Sequence, residues 1–85
     1  MSYIITLSFF SAAEHTLRNE IKGVYNDKVT GRMELSSWAN EKYHQLVDEY
    51  NGDVLLQRVG YRVIMTLPND DIYCYEMCEF VGAEE

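Results

Sequence analysis

Residues 2–10, SYIITLSFF, alternate with a period of two, the pattern of an extended chain. Tyr3, Ile5, Leu7 and Phe9 fall on one face; Ile4, Thr6, Ser8 and Phe10 fall on the other. The first face is wholly apolar and has to be covered. The second is half apolar, which places the strand inside a sheet rather than at its edge. This stretch therefore demands a sheet with something packed on it.

The remaining segments are read as partners of that strand. Ser11-Ala12-Ala13-Glu14 has the form of a capping box, in which the Ser11 hydroxyl accepts from the Glu14 amide. It predicts a helix over about 12–22 with Ala13, Leu17 and Ile21 as a thin apolar stripe. Arg18 and Lys22 suit the C-terminal end of that helix, and Gly23 suits its left-handed stop. Residues 24–35, VYNDKVTGRMEL, read as extended, with a turn at Asn26-Asp27-Lys28 and a bulge at Gly31.

Ser36-Ser37 opens the strongest helix, about 38–50, whose apolar face is Ala39, Tyr43, Leu46, Val47 and Tyr50. Asn51-Gly52 ends it. Residues 54–67 read as two strands turned at Gly60-Tyr61, or as one long strand bulged at Gly60. A two-residue turn at Asn69-Asp70 leads into a last strand over 72–81. In that register Val63, Met65, Leu67, Ile72 and Cys74 share the core face, while Ile64, Tyr73, Tyr75 and Met77 share the opposite one. The expected fold is α+β: a single domain over residues 1–85, with a mainly antiparallel sheet and two helices packed on it.

Charge narrows the function. Fourteen acids stand against seven bases, a net charge of −7. Residues 70–85 hold six of those acids and no base, so nearly all the imbalance is C-terminal. Direct nucleic-acid binding needs a basic face, and docking on an anionic membrane needs one too. Neither is expected; a basic partner is. No apolar run reaches the ~20 residues of a membrane-spanning helix. The N-terminal segment lacks a basic region and reads as a strand, not a signal peptide. A cytoplasmic protein with free thiols is the expectation.

The residues that bear chemistry do not assemble into a motif. Cys74 and Cys78 are four apart. Along a strand that is ~13 Å, beyond disulfide or shared-metal reach. Cys74 is expected in the core. No second ligand pair exists, and His15 and His44 are isolated. There is no nucleophile elbow and no phosphate-binding glycine loop. No cofactor, no metal and no catalytic residue are expected.

The acids carry more information. Asp48 and Glu49 sit in the last turn of a helix, beside its negative end, and Asp53 follows. Locally unfavourable choices mark places where function sits. Asp70, Asp71, Glu76 and Glu79 form a second group, expected to rim Tyr73 and Tyr75 on a face turned away from the core. These nine residues are the candidate partner-binding surface.

The reading is a small non-catalytic module that docks on a basic, nucleic-acid-binding protein, partly by mimicking DNA charge. The profile resembles that of small phage-encoded inhibitors of host machinery, without a motif behind the resemblance. The alternative is a homodimeric assembly module whose acids serve only solubility.

Overall fold

The computed structural model describes residues 2–80. It contains one helix and five strands in the order β1 (Ser2–Ser11), β2 (Thr16–Tyr25), α1 (Lys28–Glu49), β3 (Leu55–Val59), β4 (Arg62–Thr66) and β5 (Ile72–Phe80). All strands join one antiparallel sheet, ordered β2-β1-β5-β4-β3. The class is α+β with one helix, not two. The predicted end of the last strand at Val81, and the acids Glu84 and Glu85, lie outside the described residues.

β1 lies inside the sheet, between β2 and β5. Its Ile5 is fully buried, with Tyr3 and Leu7 packed beside it. The predicted first helix is instead β2. Its capping-box bond is present: the Glu14 amide donates to Ser11 Oγ at 3.4 Å. It closes a four-residue hairpin turn, 12–15, rather than opening a helix. Leu17 and Ile21 suit both structures, because a spacing of four repeats on a strand as well as on a helix. Lys22 is the extra residue of a bulge, where the β1–β2 register shifts between Ile5 and Thr6.

α1 begins ten residues before the predicted start, within the stretch expected to be extended. Asp27 is its N-cap, and its carboxylate accepts from the Thr30 amide at 3.0 Å and the Thr30 hydroxyl at 2.8 Å. Gly31 is not a bulge. It is a buried helical position seated against Met77 and Tyr3. Leu35, Ala39 and Leu46 continue the buried stripe. Asn51 and Gly52, both at positive φ, end the helix where the sequence placed its stop. At 22 residues, α1 runs from the edge strand β2 to the edge strand β3, across one face of the sheet.

β3 and β4 form the expected hairpin, with Gly60 at φ 59 as the first of two turn residues. The next connection is longer than expected. Thr66 pairs with Ile72, and residues 67–71 form the link. The Leu67 amide donates to the Asp71 carbonyl at 2.9 Å, and Asp70 takes φ 72. The register thus moves by one residue, and every side chain of β5 changes face. Tyr75 and Met77, 4% and 5% exposed, join Val63 and Met65 under α1. Ile72 and Cys74 go to the face that α1 does not cover. Cys74 is half-buried rather than core, and Cys78 is exposed.

Candidate functional site

The strand directions bring separate segments to one end of the molecule. β1 and β4 end there, β3 and β5 begin there, and α1 finishes there. Asp48, Glu49 and Asp53 come from the helix end, and Asp70 and Asp71 from the β4–β5 link. The β1–β2 turn adds Glu14, which sequence reasoning did not single out. Its only signal was position in the Ser11–Glu14 turn, misread there as a helix start. All are exposed except Asp71, which is half-buried.

Asp71 ties the end together. Its Oδ1 accepts from the Ala12 amide at 2.9 Å, and its Oδ2 accepts from Asn69 Nδ2 at 3.2 Å. The Tyr50 phenol is pushed up by desolvation, then by the Glu49 carboxylate and the Asp71 charge. Tyr73 is pushed up by burial first, and then by the same Glu49 and Asp71. Both tyrosines thus sense acids from two elements at once. The last turn of α1 holds no basic residue. Among the described residues the ion pairs are Lys22–Glu20 and Arg62–Glu76, neither at this end. Two cations border the acidic end: Lys42, whose ammonium lies 4.6 Å from the Tyr73 ring centre, and Arg18, which shares a shallow cleft with Phe9 and Tyr73.

The other candidate residues are not brought here. Tyr73 is half-buried and stacked on Phe9 at 4.6 Å between ring centres. Tyr75 belongs to the core, so it presents no surface. Glu76 sits on the uncovered sheet face and holds the Arg62 guanidinium at 2.7 and 3.2 Å. Glu79 is exposed near the opposite end of β5.

Burial pushes both the Cys74 and the Cys78 thiols up, away from the reactive thiolate. No group of three or more His, Cys, Asp or Glu among the described residues is arranged to hold a metal ion. No helix is long and apolar enough to cross a membrane. A cleft of about 620 Å³ lies between α1 and the β3–β4 hairpin, lined by Arg32, Arg58, Met33, Tyr61 and the two serines Ser36 and Ser37. Arg58 there donates to Asn40 Oδ1 at 3.3 Å. Among the described residues, the walls of the cleft bring hydroxyls and guanidiniums together without a histidine or carboxylate.

Fold and site together define a class: a small α+β protein with one helix-covered antiparallel sheet and an acidic end. No family model matches the chain, and no curated protein or solved structure matches it either.

Proposed function

We propose that this chain is a non-catalytic protein-interaction module whose acidic end docks on the basic surface of a partner protein. In its sharpest form the partner binds nucleic acid, and the carboxylates occupy the groove that phosphates otherwise fill. One observation carries the reading. Five acids from two separate segments meet at one end of the molecule, and Glu14 joins them from a third. Such a set raises the local potential and attracts a basic partner. The module would act beside its partner in the cytoplasm, where its free thiols fit a reducing environment.

The test is capture from cell lysate with wild-type bait beside Asp48→Asn/Glu49→Gln/Asp53→Asn bait, each washed over a salt series. The triple variant keeps its fold, because all three side chains are exposed at an unfavourable helix end. Wild type retains basic nucleic-acid-binding proteins at low salt and releases them to high salt or to duplex DNA. Equal retention by the triple variant would remove these acids from the docking surface. A second reading makes the homodimer the functional unit and the acids mere solubilisers. The uncovered sheet face favours that dimer.

A further inference from the structure

α1 covers one face of the sheet, and among the described residues nothing packs on the other, the bare face. On the bare face, Leu17, Ile21 and Val24 of β2 are 62%, 65% and 59% exposed. Leu55 and Val59 of β3, at the far edge of the same face, are 58% and 64% exposed. Between them the pairing aligns cross-strand rows. One row runs Leu17, Phe10, Ile72, Thr66, Leu55. The row through the sheet centre runs Ile21, Thr6, Glu76, Arg62, Val59. Arg62 and Glu76 are the only charges among the described residues of this face, and they neutralise each other at 2.7 Å.

We infer that this face is where a second copy of the chain docks, sheet against sheet. Three observations select that occupant. The first is area. Five strands averaging about eight residues, ~4.8 Å apart and rising ~3.3 Å per residue, give a flat face on the order of 600 Å². That approaches the ~800 Å² per partner of a standard stable interface. Its apolar share, interrupted by Thr6, Ser8, Asn19, Gln57 and Thr66, is a patch of the few-hundred-Å² size that is often functional on a soluble protein.

The second is charge. Docking on an anionic membrane or nucleic acid needs unpaired cations, and a basic partner needs unpaired carboxylates. This face offers neither. It is a nearly neutral face of apolar and uncharged polar side chains around one ion pair, on a molecule of net charge −7. What matches it is another face of the same kind, and face-to-face packing keeps the acidic ends of both copies outside the contact. The third is the edge. Pairing two copies edge to edge, through β2 or β3, would be the other route to a dimer; β3 is only five residues long, which blunts that edge. β2 is blunted against it by its bulge and by Arg18, Glu20 and Lys22. The contact so defined is a sheet sandwich about 10 Å thick with an isologous interface.

This pairing stands apart from the docking reading, since none of the acids at the acidic end lies on the face. The experiment is sedimentation velocity from low micromolar to several hundred micromolar protein, at low and high sodium chloride. Wild type sediments as a dimer whose affinity does not weaken with salt. Ile21→Glu and Val59→Glu each raise the dimer dissociation constant at least about tenfold, the effect of ~1.4 kcal/mol. At concentrations where wild type is also monomeric, their circular dichroism melts stay near wild type, because both side chains are already exposed in one copy. Met33→Glu, an equal charge change at a 69% exposed helix position, leaves the dimer intact. A wild-type monomer throughout the range would overturn the inference. So would unchanged dimer affinity in both Glu variants, or an equal loss in Met33→Glu.

Discussion

Thr30 holds the Asp27 carboxyl below the usual carboxylate range, first through its hydroxyl and then through its amide. The folded state therefore binds the Asp27 proton more weakly than the unfolded chain does. The contribution to stability is present in full above the unfolded value and is lost as pH falls through the folded one. Melting temperature should drop more steeply below pH ~4 in wild type than in Asp27→Asn, since Asn caps a helix without titrating. Circular dichroism melts at stepped pH make the comparison, and superimposable acid arms would show that the capping carboxylate contributes nothing. The same residue shows why this helix start was hard to read. Asp27 stands between Asn26 and Lys28, which together look like a turn, and after Lys28 the first turn of the helix holds Val29, Thr30 and Gly31. All three are weak helix formers, so local preference hid a cap that tertiary packing uses. The stop at Asn51-Gly52 was legible because positive φ strongly restricts residue choice.

Among the elements, Gly31 shows how closely α1 is seated. A Cβ built there would lie 2.8 Å from Met77 Sδ, and Met77 is only 5% exposed. Gly31→Val should destabilise the fold by about 1–3 kcal/mol through overpacking, despite removing a helical glycine. Met77→Ala should cost less in the Gly31→Val background than in wild type, because the added valine fills part of the space that the truncation opens. Urea midpoints of the two single variants and the double variant check both statements, and a wild-type midpoint in Gly31→Val would unseat the helix from this contact. The strands show what patterning can and cannot decide. β1 was readable because nine alternating residues fit one structure only. β2 was not, because Leu17 and Ile21 are four apart and a true Ser11–Glu14 bond lies just before them. The β4–β5 register failed by one residue. Leu67 turns its amide into the link and Asp70 adopts positive φ, which a two-residue turn does not anticipate. That slip alone moved Tyr75 from an expected docking surface to the core, and Cys74 from the core to the bare face. The acids at 48, 49 and 53 were legible as a local violation of the helix dipole. Their meeting with 70 and 71 required the strand order.

For the whole molecule, the two surfaces make different demands, and together they have a consequence that neither has alone. A dimer joined through the bare faces carries two acidic ends, so its hold on a densely basic surface is bivalent. A polylysine-coated sensor serves as the probe. Wild type should leave a densely coated sensor slowly and a sparsely coated one quickly, because rebinding by the second end depends on spacing. Ile21→Ser/Val59→Ser weakens the dimer without adding charge, and its release should not depend on coating density. Asp48→Asn/Glu49→Gln/Asp53→Asn should release quickly from both coatings while remaining dimeric. High salt should erase all these differences, since the Debye length falls to ~3 Å at 1 M. Equal density dependence in wild type and the serine variant would mean that the dimer adds nothing to docking. Slow release by the acid-depleted variant would place the charge that matters elsewhere on the chain. The two arms fail separately, because the residues that join the copies and those that meet the partner lie on different surfaces of the sheet.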